Sequence, residues 1–247
     1  MKDDTKLRLG TRASNLALTQ SRLVAALLEK AHRGLKVEHV EITTTGDTVR
    51  DRPLQSFGGR GVFVKELENA LLQGRVDVAV HSLKDLPTRQ PRGLVLGAIS
   101  GREDTRDVAV AGSGRKLEDL PPGSVIGTGS PRRRAQLKAK YPHLEFAEIR
   151  GNVETRLRKV QEGQYAGTIL ARAGLKRLGL LVSGIGFRIS RRRVLHLRAA
   201  LGLPDGSVMV RAEDSMPVPK ARQLGRRVAR TILARGGREL MARLPQA

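Results

Sequence analysis

The sequence predicts an α/β protein whose strands lie parallel beneath covering helices. Three observations carry this. Apolar stretches alternate between strand and helix periodicity in the order βαβαβ, and that order then repeats. Gly, Ser, Thr or Pro interrupts the chain between stretches. The 247 residues are 39% hydrophobic, enough for buried cores in one large or two modest domains.

Residues 7–9 read as the first strand, ending at Gly10. Thr11-Arg12-Ala13-Ser14-Asn15 follows as a loop with capping residues. Residues 16–31 then repeat Leu16, Leu23 and Leu27 at helical spacing, with Ala17, Val24 and Leu28 adjacent. Gly34 stops this helix, 37–43 alternates like a strand, and 44–61 is a polar, Gly-rich loop. A helix at 62–73 carries Val64, Leu67, Leu71 and Leu72, and 76–81 is a buried strand closed by the loop 82–91. Strands at 94–99 and 107–111 cross to a second unit. There 124–127, 146–149 and 167–171 read as strands, and 131–140 and 152–162 as helices. Two such units with facing ligand loops predict a cleft between domains. Further on, strands at 194–200 and 208–212 flank the turn Leu203-Pro204-Asp205-Gly206-Ser207. Residues 221–244 form a basic amphipathic helix interrupted at Gly236-Gly237. The expected partition is a first α/β domain over 1–100, a second over 101–180, a junction at 181–193 and a partial α+β third domain over 194–247.

Charge narrows the function. Lys+Arg number 46 against 24 Asp+Glu, a net +22, which favours polyanions or a small, multiply charged anion. A solvated basic surface is the plainer reading of the same surplus. Aromatics are only 2%, against single-stranded nucleic-acid binding on stacked rings. The absence of cysteine excludes disulfides, Cys-ligated zinc, iron–sulfur clusters, a thiolate nucleophile and any cofactor held through sulfur. No His/Asp/Glu spacing resembles a metal site. No run approaches the ~18 apolar residues of a membrane span, and the start Met1-Lys2-Asp3-Asp4-Thr5-Lys6 lacks a signal-peptide core, so a cytoplasmic protein is expected.

Five loops can carry chemistry. In Gly127-Thr128-Gly129-Ser130-Pro131-Arg132-Arg133-Arg134 a strand runs into a helix whose free N–H groups attract anions. Ser130 can cap or bind there, and Arg132 and Arg133 add forked donors for carboxylates. The Gly-Lys-[Ser/Thr] ending of a P-loop is missing. His81-Ser82-Leu83-Lys84-Asp85-Leu86-Pro87 sets an acid beside a lysine at a strand end, where Asp85 can serve as general acid or as counter-ion to a developing cation. His81 itself reads as structural. Arg150-Gly151-Asn152-Val153-Glu154-Thr155-Arg156 and Thr11-Arg12-Ala13-Ser14 also follow strands. Gly58, Gly59, Arg60 and Gly61 mark a mobile loop or lid. Singly, each is more often ordinary surface. Together they supply what a polycarboxylate-binding cleft needs.

These motifs occur in one order with Val64-Lys65-Glu66-Leu67-Glu68, Arg102-Glu103-Asp104 and Gly174-Leu175-Lys176-Arg177-Leu178-Gly179. Over residues 7–180 the chain closely resembles the porphobilinogen deaminase, or hydroxymethylbilane synthase, family. The resemblance implies two domains like type II periplasmic binding proteins around a cleft, with a small third α+β domain. It implies a transferase of porphyrin and heme biosynthesis that joins four porphobilinogen units, releasing ammonia each time. It also implies a dipyrromethane cofactor on a cysteine. By the same resemblance Asp85 is the catalytic carboxylate, stabilising positive charge on pyrrole nitrogens. Arg12, Ser14, Lys84, Thr128, Ser130, Arg132, Arg133, Arg150 and Arg156 become partners of acetate and propionate arms, and Arg177 faces the cofactor. Gly129 stands where the family usually has Ser. After Leu180 the family's apolar, Gly-rich return to the first domain and its cysteine loop are not found. Residues 194–212 resemble late strands of the third domain and 221–244 its final helix. The implied partner is porphobilinogen, with no membrane and no specific nucleic acid, and a monomer is expected. Without cysteine the thioether cannot form in this chain. Two other readings stand beside this one: a catalytically inactive paralogue or incomplete chain that keeps an anion-binding cleft, and a basic protein that binds nucleic acid nonspecifically.

Overall fold

The computed structural model describes residues 5–44, 46, 64–180 and 194–243. The Gly58, Gly59, Arg60 and Gly61 loop and the junction 181–193 lie outside the described residues. Two compact units form. The first gathers described residues up to Val108, with Gly151–Glu154 and those from Leu170 to Leu180; the second gathers the rest.

In the first unit β1 (Lys6–Thr11) pairs in parallel with both β2 (Lys36–Glu41) and β3 (Val78–Ala79), in the order β2-β1-β3. Parallel neighbours need crossovers, supplied here by α1 (Asn15–Ala31) and α2 (Lys65–Leu72). The core under them is Ile42, Leu67, Ala70 and Val76. The expected strand at 76–81 shrinks to two half-buried residues, although Val76 itself is buried. The apolar stripe of α1 also differs from expectation. Ser21 and Ala25 are buried, whereas Leu23 and Leu27 are 53% and 57% exposed. The face that meets the sheet thus runs through small residues, which allow close approach, and the leucines fall to its side.

The expected strand at 94–99 is absent, and Val95 is 88% exposed and Ile99 67%. The first sheet ends at β3, whose two residues offer no ladder for a further strand. Alternation of apolar residues is a local signal; pairing needs a partner.

The second sheet has the order β4-β7-β5-β6, built from β4 (Asp107–Ala111), β5 (Val125–Gly127), β6 (Glu145–Ala147) and β7 (Gly167–Ala171). β5 is parallel to β6 and β7. Helices α3 (Pro131–Lys140) and α4 (Val153–Gln161) cross between these strands, and Leu117, Leu120, Ile126, Leu144 and Ile169 form the core. A short helix not expected from sequence, α5 (Arg172–Arg177), follows β7 and belongs with the first unit.

Within the second unit β8 (Val194–Gly202) and β9 (Met209–Pro217) make an antiparallel hairpin. Helix α6 (Ala221–Ile232) covers one face with Leu224, Val228 and Ile232, spaced i, i+4, i+8. Arg235 and Gly236 leave helical geometry, Gly236 at φ 93°, before α7 (Arg238–Ala242) resumes. Among the described residues no helix is long and apolar enough to cross a membrane.

Candidate functional site

In the first unit Gly10 lies opposite Ala79, so β1 and β3 end side by side. Arg12 and Ser14 leave one strand where His81 to Asp85 leave the other, at the carboxyl edge where open α/β sheets bind ligands. Ser14 caps α1, its hydroxyl accepting from the Ala17 N–H at 3.4 Å. The Ser82 hydroxyl donates to Gln20 Oε1 at 3.0 Å and ties this loop to α1. Lys84 and Asp85 stand exposed on the single 3-10 turn Leu83–Asp85. His81 connects the two loops electrically. Burial lowers its pKa, Asp85 opposes that, and Arg12 lowers it further. Arg12, His81 and Asp85 therefore share one neighbourhood.

Arg177 lies elsewhere in this unit. It lines a cavity of about 320 Å³ with Asn15, Thr19, Arg22 and Glu154, a lining that includes neither Lys84 nor Asp85. Glu103 and Asp104, quoted above only as family motif, are structural: Lys176 pairs with Glu103 at 2.8 Å and Arg172 with Asp104 at 3.0 Å. The signal for this was available, since two basic residues one helical turn apart face two adjacent acids.

In the second unit β5 and β6 also end level, Gly127 lying opposite Ala147, while β7, whose Thr168 lies opposite Gly127, runs on to Ala171. The expected hydroxyls shape the turn that follows. Thr128 is buried, and its Oγ1 accepts from the Ser130 N–H at 3.3 Å. Ser130 Oγ accepts from the Arg133 N–H at 3.4 Å and caps α3, with Pro131 as first helical residue. Arg133 Nη1 donates to the Ile169 carbonyl at 3.3 Å. Arg150 Nε donates to Glu148 Oε1 at 2.9 Å. Burial pushes the Arg156 pKa down, and the nearby Arg133 and Arg150 push the same way against Glu148. Three guanidinium groups with one carboxylate leave a positive surplus in a partly desolvated place, a site suited to carboxylate arms. Glu148 was missed in the sequence, although residues i and i+2 of an extended segment share a side, which sets it beside Arg150.

Arg132 does not join this cluster. Successive helix positions point about 100° apart, and Arg132 lines a different cavity, between α3 and the β8–β9 hairpin. Its backbone neighbour Arg133 turns to the strand ends.

Each unit is thus an α/β layer with cations at the carboxyl ends of its strands, Asp85 standing exposed beside those of the first and Glu148 beside those of the second. The family model described as porphobilinogen deaminase, dipyromethane cofactor binding domain, matches residues 7–212. A porphobilinogen deaminase of Acidithiobacillus ferrooxidans is 48% identical over 229 residues, covering 85% of this chain and 75% of that protein. The chain belongs to the porphobilinogen deaminase family, transferases of the hydroxymethylbilane synthase type in tetrapyrrole biosynthesis. Among solved structures, it is similar to an ancestral amino acid-binding protein, a precursor of cyclohexadienyl dehydratase, with TM-score 0.38 and 17% identity, covering 71% of this chain and 75% of that one. An ancestral arginine-binding protein bound to arginine gives TM-score 0.36 and 19% identity, covering 70% and 73%. Scores this low carry no weight on ligand or mechanism.

The family's dipyrromethane meets a chemical obstacle here. A thioether needs a thiol, and the chain has no cysteine, so the covalently attached form does not fit.

Proposed function

We propose that the chain condenses porphobilinogen with loss of ammonia, binding the acetate and propionate arms through Arg133, Arg150 and Arg156 and using Asp85 as the charge-stabilising carboxylate. The arginine cluster of the second unit carries this reading, because Arg133, Arg150 and Arg156 gather at the strand ends beside Glu148 and guanidinium groups suit carboxylate arms. In the reaction the aminomethyl C–N bond breaks, ammonia leaves with a proton, and an electrophilic azafulvene remains. The α-carbon of a second pyrrole then forms the new C–C bond and loses its own proton. Both steps place positive charge on pyrrole nitrogen, and a fixed carboxylate lowers both barriers. Arg12 and Lys84 beside Asp85 supply cations for the arms of the reacting unit, and Ser14, Thr128 and Ser130 shape the loops that present these groups. The same reading makes the chain a cytoplasmic monomer; light scattering that returns the mass of one chain agrees with it, and a dimer does not.

The test is ammonia release from porphobilinogen. Asp85→Ala reduces the rate by orders of magnitude with the circular dichroism unchanged; near-wild-type turnover in that variant removes Asp85 from the chemistry. A second reading, a relative that binds the pyrrole without turnover, is favoured by the missing thiol. Saturable porphobilinogen binding with no ammonia above a no-enzyme control selects it.

A further inference from the structure

Glu148 stands where a ligand's carboxylate would be expected. Its Oε1 accepts from Arg150 Nε at 2.9 Å. The same carboxylate acts on Arg156 together with Arg133 and Arg150. An acid of the chain itself thus sits among three guanidinium groups.

The backbone fixes that acid in place. Ile149 is 1% exposed and packs against Gly127, where an added Cβ would come within 2.8 Å of the Ile149 Cβ. With Ile149 turned into the core, Glu148 and Arg150 both turn the other way. Just before them, the Ala147 carbonyl accepts from the Thr128 N–H at 2.8 Å. The Glu148 carbonyl accepts from the Tyr165 hydroxyl at 2.7 Å. The segment is therefore held by its main chain and by Ile149, and the Glu148 carboxylate is not required to hold it. The ion pair is also partly open to water, Glu148 being 40% exposed and Arg150 21%. Pairs so exposed add little to stability, because water solvates either partner nearly as well. This one can be exchanged at small cost to the fold.

We propose that Glu148 is a positioning residue that competes with ligands for Arg150, so that the cluster passes over single carboxylates and takes dicarboxylates. The inference rests on the porphobilinogen reading above and deepens it. Glu148 orients the guanidinium through Nε. A lone carboxylate that replaces it exchanges one ion pair for another and gains nothing at Arg150. An acetate and a propionate arm on one ring lose the same pair and gain two, the second on the neighbouring guanidinium groups. The displaced Glu148 carboxylate turns to water, which its exposure allows.

Calorimetric titration of the full chain with porphobilinogen tests this, first in chloride and then with acetate replacing chloride at constant ionic strength. The wild-type affinity should be the same in both salts. Glu148→Gln keeps an acceptor for Arg150 Nε and removes the charge. It should tighten porphobilinogen binding about fivefold in chloride, the upper end for a half-exposed ion pair. Acetate should now compete. In an Arg150→Ala background the Glu148→Gln change should have no further effect, since the competition acts through that guanidinium. Weaker or unchanged porphobilinogen binding in Glu148→Gln overturns the proposal, as does tightening that persists without Arg150. Ammonia release is read on the same preparations. Release with unaltered affinity in Glu148→Gln sinks the inference and leaves the proposed function standing. The expected shifts without release support the inference and sink the transfer reaction. If the wild-type chain binds no porphobilinogen, both fall.

Discussion

His81 lies where two loops meet, and its protonation reports both of them. Burial lowers its pKa, Asp85 favours its proton and Arg12 opposes it. An NMR titration should find its pKa below the usual ~6.5, lower still in Asp85→Asn and higher in Arg12→Ala. No movement in either variant would separate His81 from both residues. Because the folded pKa is depressed, the unfolded chain takes the proton first as pH falls below ~6.5, and stability declines in that window. Asp104 behaves in the opposite sense. Hydrogen bonds from the Arg106 side chain and backbone, with Arg172 beside it, hold its carboxylate well below the usual range. Its contribution is full above the unfolded value of ~3.9 and fades as pH falls towards the folded one. The thermal midpoint of Asp104→Asn should therefore lie below wild type at neutral pH, with the gap closing below pH ~4. A gap that persists or widens in acid would remove Asp104 from this role.

The hairpin turn and the start of α3 make separate energetic predictions. Ser130→Ala removes the cap and should cost about 1 kcal/mol in chemical denaturation. Gly206→Ala adds a Cβ against the Ala135 carbonyl at positive φ, and should cost about 1–3 kcal/mol and loosen the hairpin from α3. A neutral Gly206→Ala would mean the turn does not sit on that helix. These elements also show what the sequence makes legible. The bounds of α3 and β7 match the residues read directly, because Ser130 and Pro131 mark one start and β-branched, apolar residues fill the other. The stretch 94–99 misleads for the opposite reason: its alternation is right for a strand, but no partner lies beside it among the described residues. Arg132 and Arg133 are legible as donors, yet only the helix rotation sets which side each one faces. Arg177 reads as a site residue from its motif, and the structure places it by the first turns of α1.

The net charge of +22 acts over the full chain. It draws in any anion, so porphobilinogen affinity should fall as salt rises, with screening lengths of ~10 Å at 0.1 M. Nonspecific DNA retention should vanish over the same range and be the same in wild type and Asp85→Ala. DNA binding that resists salt would give the basic surface a partner of its own. Family membership and strand-end cations converge on one chemistry, and the missing thiol is the feature that sets this chain apart. The decisive measurement is ammonia release from porphobilinogen by the purified, folded chain against a no-enzyme control. The account predicts sustained release that collapses in Asp85→Ala. No release above the control from a chain that still binds porphobilinogen would contradict it, and would leave an anion-binding protein without the transfer reaction.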